Sequence, residues 1–276
     1  MKNLYISDMD GTLLKSDGQL SQYSKDKINQ FKNRAIYFSL ATARSIVSAE
    51  KLLDGVGFIA PIVLMNGVFI YDTKKKVAVK YHPFDETAFL KTVNAFKKFN
   101  FHPIMFLYGK DENMYIEMEE IDNDVMEWFY NTRSKMLGER FKKVDDLRNV
   151  PKDKYPVYIS YFAPKDSLLE LKEIISKIDG VSFAFYKDSY SDDWIIEVYS
   201  AKASKANGAK EVAQYMKAQK IIAFGDNLND LLLLENADYA VAVKNAVADV
   251  KNMADEIIGT NDEDSVVNFI AKRENI

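Results

Sequence analysis

The chain has 276 residues, 47% hydrophobic and 28% charged, which is ordinary globular composition with length enough for two domains. Lys and Arg total 37 against 41 Asp and Glu, a net charge of −4 without a long block of either sign, so nothing favours nucleic acid as a partner. The lack of cysteine removes disulfides and thiolate chemistry, and no apolar run approaches a membrane span or a signal core, so a cytoplasmic protein is expected.

The first apolar run, Leu4-Tyr5-Ile6, has strand length and delivers Asp8 and Asp10 to a turn at Gly11. In open α/β sheets ligands bind beyond the carboxyl ends of the strands, which is where both acids fall. Asp10-Gly11 by itself is equally ordinary turn chemistry. Two acids this close repel each other, however, and a hard divalent cation such as Mg²⁺ relieves the repulsion. One acid could then attack as a nucleophile while the other serves as acid and base.

Ser21 or Ser24 can cap a helix carrying Ile28 and Phe31 on one face. Ile36 to Ala41 reads as a second buried strand ending at Thr42-Ala43-Arg44. A helix over Ser45 to Leu53 and a third strand over Pro61 to Met65, ending at Asn66-Gly67, follow. This alternation predicts a parallel sheet with right-handed crossovers. Val68 to Tyr71 and Val77 to Tyr81 read as a hairpin.

Beyond His82-Pro83 the character changes. The pattern predicts a helix over Glu86 to Phe99, strands at Pro103 to Tyr108 and Met114 to Met118, and a helix over Glu120 to Thr132 with Val125, Trp128 and Phe129 facing a core. A strand at Val157 to Phe162, a helix over Ser167 to Ile178 and strands at Val181 to Tyr186 and Trp194 to Tyr199 complete an α+β unit. His82 and His102 both precede proline, which disfavours a histidine triad or zinc site.

From Ala203 the α/β pattern resumes, with a helix over Lys205 to Gln219 and a buried strand Ile221 to Phe224. That strand ends at Gly225-Asp226-Asn227-Leu228-Asn229-Asp230, again a glycine turn carrying acids. A short helix (Leu231 to Glu235), a strand (Tyr239 to Val243), a helix (Val247 to Met253) and a closing helix from Asp264 follow. A helix N-terminus rich in capping Asn and Asp would explain the second acidic turn on its own. Paired with the first, it makes a metal site the better reading. Thr42 adds a hydroxyl at a strand end, and Lys205 a cation at the start of a helix, where it opposes the helix dipole.

Asp8-Met9-Asp10-Gly11-Thr12-Leu13-Leu14 resembles the first motif of the haloacid dehalogenase superfamily in its phosphatase form. Thr42, Lys205 and Asp226/Asp230 stand in the order and strand-end context of the other three motifs. Asn66-Gly67 and Asn245-Ala246 are further similar to the Cof-type branch, whose α+β cap lies between the second and third motifs. The resemblance covers essentially the whole chain. It implies an α/β fold: a Rossmann-like parallel core of five to six strands, with Asp8 on the central strand. Residues 1–82 and 200–276 would form this core, and residues 83–199 an inserted cap that closes over the substrate and sets specificity.

The same resemblance implies a Mg²⁺-dependent phosphatase acting on a small phosphorylated metabolite, sugar phosphates being favoured, as a monomer or weak homo-oligomer without membrane or nucleic-acid partners. Asp8 would be the nucleophile and Asp10 the acid and base. Asp8, the Asp10 carbonyl and Asp226 would hold Mg²⁺, with Asp230 orienting Asp226 or Lys205. Thr42, Ala43, Arg44, Asn66, Lys205 and Asn229 would contact substrate or phosphate. The branch usually has glycine where this chain has Ala43 and Ala206, which narrows backbone approach at the first and favours helix at the second. A phosphosugar mutase of the superfamily and a non-catalytic metabolite sensor are the alternative readings.

Overall fold

A computed structural model describes residues 2–188 and 191–276. The chain divides into two units, one formed by the segment up to Tyr81 together with Ala203–Ile276, the other by His82–Lys202.

The first segment runs β1 (Asn3–Ser7), α1 (Gln22–Asn33), β2 (Tyr37–Leu40), α2 (Ile46–Leu52), β3 (Ile62–Leu64), β4 (Phe69–Asp72) and β5 (Val77–Tyr81). The Ser21 hydroxyl caps α1 by accepting from the Ser24 amide at 2.9 Å. Spacing of three and four then turns Ser24, Ile28 and Phe31 inward. The second unit contains α3 (Glu86–Lys98), β6 (Ile104–Gly109), β7 (Met114–Met118), α4 (Asp124–Leu137), β8 (Phe141–Lys143), β9 (Lys154–Ala163), α5 (Lys165–Ile175), β10 (Val181–Lys187) and β11 (Trp194–Ser200). The chain then returns to the first unit through α6 (Lys205–Met216), β12 (Lys220–Gly225), α7 (Leu231–Glu235), β13 (Tyr239–Ala242), α8 (Ala248–Met253), β14 (Glu256–Ile257) and α9 (Ser265–Arg273).

The main sheet of the first unit has five parallel strands in the order β14-β13-β12-β1-β2. Leu4, Tyr5 and Ile6 are fully buried, as a strand covered on both faces requires. The third predicted strand departs from expectation. β3 touches the main sheet only through a bridge between Ala41 and Val63, and pairs antiparallel with β4 in a separate sheet, β3-β4-β5. Its short length limits pairing with β2, and the hairpin that follows takes its other edge. Counted with that bridge, β1 and β12 are the middle pair.

The reversal from β3 to β4 is made by Met65, Asn66 and Gly67, all with positive φ (49°, 54° and 96°). A Cβ at Gly67 would sit 2.3 Å from the Ser204 carbonyl oxygen, so only glycine lets the start of α6 lie against this turn. Gly208 does the same one turn later, where a Cβ would lie 2.4 Å from Val63 Cγ1. These two contacts fix the return helix against the first segment.

The second unit has a six-stranded sheet in the order β10-β11-β9-β6-β7-β8, antiparallel except for β7 with β8. Phe96 of α3 packs edge-on against Tyr161 of β9, and Phe129 of α4 edge-on against Phe106 of β6. Two expectations are corrected here. The α4 helix starts at Asp124, because the Asn123 side chain caps it by accepting from the Met126 amide at 2.9 Å. In that frame Met126 is the buried residue and Trp128 is 61% exposed. The short strand β8 was not foreseen, since Phe141-Lys142-Lys143 offers one apolar residue to a pattern of alternation. Among the described residues no helix is long and apolar enough to cross a membrane.

Candidate active site

The register of β1 against β12 sets the site. Ser7 lies opposite Phe224, and the Asp8 amide donates to the Phe224 carbonyl at 3.0 Å, so Asp8 and Gly225-Asp226 leave the sheet side by side. The turn after Asp8 is sharp: Gly11 has φ +79°, and a Cβ there would sit 2.5 Å from Asp226 Oδ2. The Asp8–Asp10 loop therefore presses directly on the second acidic loop.

Lys205 opens α6, whose cap is the Ser204 hydroxyl accepting from the Asn207 amide at 2.9 Å. It is not a solvated lysine. Only 4% exposed, it donates to Asp8 Oδ1 at 2.6 Å and to Asp230 Oδ1 at 2.7 Å. Burial alone would lower its pKa, but the charges of Asp230 and Asp8 outweigh burial and raise it, so the ammonium is held protonated. Asp230 is fully buried and its other oxygen accepts from the amides of Asp226 and Asn227 at 3.1 and 3.2 Å. Asp230 thus bridges Lys205 and the backbone of the Asp226 turn. The Thr12 hydroxyl donates to Asp226 Oδ1 at 2.6 Å.

Asp8, Asp226 and Asp230 each place a carboxylate oxygen within 4.8 Å of the others. Burial, then the charge of Asp230, push the Asp8 carboxyl well above the usual range, with Lys205 acting the other way. Burial also pushes Asp226 up to about 6, against the Thr12 hydrogen bond. With all three acids ionised, one ammonium would leave two negative charges unmatched, and the donors are hard oxygens. This set fits a divalent cation such as Mg²⁺.

Asp10 lies apart from these three. Its carboxylate, 53% exposed, takes Arg44 in a two-pronged pair, Nε to Oδ2 at 2.8 Å and Nη2 to Oδ1 at 2.6 Å. Thr42 lies just beyond β2, 1% exposed, with Oγ1 accepting from the Arg44 amide at 3.1 Å and its carbonyl accepting from the Asn66 amide at 3.0 Å. Ala43 is partly exposed beside it. Asn66 is 6% exposed, and Asn229 is exposed on the turn before α7. Asp8, Asp226, Asp230 and Lys205 are thus in direct contact or close array, Asp10 and Arg44 form a neighbouring pair, and Asn229 makes none of these contacts. Two residues that stand in the motifs above without an assigned role support the site. Thr12 sits inside the first acidic turn, and Asn245 donates to the Gly11 carbonyl at 2.7 Å while accepting from the Asn261 amide at 3.0 Å. Thr12 is signalled by its place in the Asp8–Leu14 motif and Asn245 by the Asn245-Ala246 pair, but the contact of Asn245 spans 234 residues and has no local signal.

A sequence model of the haloacid dehalogenase-like hydrolase family matches residues 5–270, so the chain belongs to that family and is an enzyme of the hydrolase class. Its full-length relatives include the 5-amino-6-(5-phospho-D-ribitylamino)uracil phosphatase YitU of Bacillus subtilis, 27% identical over 274 residues, covering 97% of this chain and 96% of the relative. The pyridoxal phosphate phosphatase YbhA of Escherichia coli is 22% identical over 287 residues, with 95% of each chain covered. Among solved structures, a haloacid dehalogenase-like hydrolase from B. subtilis superposes with a TM-score of 0.75 at 21% identity, covering 98% of this chain and 99% of that one. The expected α/β fold and superfamily are therefore those of the protein.

Proposed function

We propose that the protein is a Mg²⁺-dependent phosphatase of small phosphorylated metabolites, sugar phosphates being the favoured class, working through an aspartyl-phosphate on Asp8. The observation that carries this reading is the buried Asp8 carboxylate held by Lys205 beside Asp226 and Asp230 at adjacent strand ends. The phosphatase names of the full-length relatives point the same way.

In this reading an Asp8 oxygen attacks phosphorus, the phosphorus–oxygen ester bond breaks, and Asp10 gives its proton to the departing alcohol. Water then attacks the same phosphorus, passes a proton to Asp10 and releases inorganic phosphate and free Asp8. Lys205 and Thr42 with the Ala43 backbone hold the phosphoryl oxygens as their charge redistributes. Asp10 does this after exchanging Arg44, which becomes available to substrate, and Asn66 and Asn229 are the remaining candidate contacts. Asp8, Asp226 and the Asp10 carbonyl would hold Mg²⁺, which when bound supplies charge neutralisation for the acids and the phosphoryl group. The unit His82–Lys202 is assigned the choice of substrate.

The two acids should fail differently. Asp8→Asn removes the nucleophile, so intact-mass measurement after mixing with an activated aryl phosphate should show no added phosphoryl group. Asp10→Asn should carry one, because such a leaving group needs little protonation while the loss of base slows release of phosphate, an effect worth about 10² to 10⁴-fold. A label on the Asp8→Asn protein that maps to Asp10 reverses the assignment. Turnover should also vanish in excess chelator, return with Mg²⁺ and return poorly with Ca²⁺, whose larger, looser oxygen shell misaligns the attack. Full rates in chelator would sink the metal reading.

A further inference from the structure

The first acidic turn takes its shape from its own residues. Asp10 (φ −77°, ψ 120°) and Gly11 (φ 79°, ψ −8°) have the dihedrals of the central pair of a type II turn, whose positive φ suits glycine. That shape aims the Asp10 carbonyl, because a type I turn differs in ψ at this residue by about 150°. The place of the turn is a separate matter, and it is set from the far end of the chain.

The loop after β13 reaches both acidic turns. The Asn245 side chain donates to the Gly11 carbonyl at 2.7 Å, and two residues on, the Val247 amide donates to the Asp226 carbonyl at 2.9 Å. Ala246 between them is buried, which seats the loop. Asn245 is itself oriented, since its Oδ1 accepts from the Asn261 amide at 3.0 Å and so leaves Nδ2 to face Gly11. Asn261, also buried, donates from its own side chain to the Leu14 carbonyl at 2.9 Å. The first acidic turn is therefore held at Gly11 and again at Leu14, while the Thr12 hydroxyl ties it to Asp226.

We infer that Asn245 is a positioning residue for the metal ligands. It holds the Gly11 carbonyl while Val247 holds the Asp226 carbonyl, so one loop sets the separation of two groups on different strands, the Asp10 carbonyl and the Asp226 carboxylate. This rests on the Mg²⁺ reading above and names what keeps those ligands in register. Acids crowded at neighbouring strand ends repel each other, and a turn tied only from within its own segment could drift from its partner. Mg²⁺ requires near-ideal octahedral geometry, with oxygens at about 2.0–2.1 Å, so a small drift of one ligand is felt. Asn245 is exposed. Its loss removes little packing, and the effect falls on the geometry of the turn.

Calorimetric titration of the intact protein with MgCl₂, without substrate, reads this directly. Asn245→Ala and Asn245→Leu both lack the donor and should each weaken Mg²⁺ binding about 10- to 100-fold. Their kcat/KM for p-nitrophenyl phosphate should fall as well, with part of the rate returning at raised Mg²⁺. Asn29 supplies a matched control. It makes the same two kinds of bond in the same unit, donating to the Gly55 carbonyl and accepting from the Gly57 amide, both at 2.9 Å, but it joins α1 to the loop after α2. Asn29→Leu should bind Mg²⁺ as the wild type does. Wild-type affinity in both Asn245 variants overturns the positioning role alone. So does an equal loss in Asn29→Leu, which marks a general loosening of the fold. A wild-type protein that binds no Mg²⁺ overturns the metal reading and the role of Asn245 together.

Discussion

At the scale of single residues, two glycines separate backbone geometry from site geometry. Gly11 and Gly18 share a positive φ (79° and 75°), but a Cβ at Gly11 meets Asp226 Oδ2 at 2.5 Å, whereas nothing lies within 4 Å of one at Gly18. Alanine in the left-handed region costs about 1–2 kcal/mol at either position. Gly18→Ala should lose that stability and keep its turnover of an aryl phosphate. Gly11→Ala should lose about the same or more and also displace Asp226, so kcat/KM should fall at least about tenfold. Denaturant unfolding and steady-state kinetics on the two variants make the comparison. Equal activity in both would mean that the Gly11–Asp226 approach has no bearing on the chemistry. Arg44 makes a related point. An exposed ion pair adds little stability, so its two-pronged hold on Asp10 bears on where that carboxylate points.

At the scale of the element, β11 carries a titratable group in a strand that is otherwise core. The Glu197 carboxyl, ordinarily near 4.5, is pushed up to about 7 by burial. Between those two values the folded chain keeps a proton that the unfolded chain gives up, so stability falls as pH rises through that window, and the whole cost is present above it. Glu197→Gln removes the titration. It should match the wild type below about pH 4.5 and exceed it by about 1 to 3 kcal/mol above about pH 7. Denaturation midpoints at several pH values read this directly, and a difference independent of pH would show an ordinary carboxyl.

At the scale of the whole molecule, the chain leaves the first unit after Tyr81 and returns at Ala203. The groups assigned to chemistry, Asp8, Asp10, Thr42, Lys205, Asp226 and Asp230, all lie in the first unit. Within it, Gly67 and Gly208 seat α6 against the turn after β3, so Lys205 is placed by contacts that do not involve the second unit. Replacing residues 82–202 with a short linker should therefore leave weak hydrolysis of small aryl phosphates and abolish preference among sugar phosphates. Cooperative unfolding and Mg²⁺ binding establish that the shortened protein is folded. If it then ranks sugar phosphates as the intact protein does, substrate choice does not reside in the second unit.

The local sequence determined much of this protein. Leu4-Tyr5-Ile6 has the length and composition of a buried strand, Gly11 marks the sharp turn that its φ of +79° makes, and the residue pattern itself changes at His82 and again at Ala203. These are properties of short stretches, and short stretches carry them. What the sequence did not determine was long-range: that β3 leaves the main sheet for the hairpin, that Lys205 is buried between Asp8 and Asp230, that Arg44 turns to Asp10, and that Asn245 holds the Gly11 carbonyl. The face of α4 was decided by its Asn123 cap, which shifts the helical frame and sends Trp128 outward. Glu197 is the plainest case. In sequence it is one charged residue in an otherwise apolar run; only the pairing of β9, β11 and β10 surrounds it with tyrosines and withdraws its Oε2 from water. Burial and partnership depend on which strands become neighbours, and that choice is made by the packing of the whole chain.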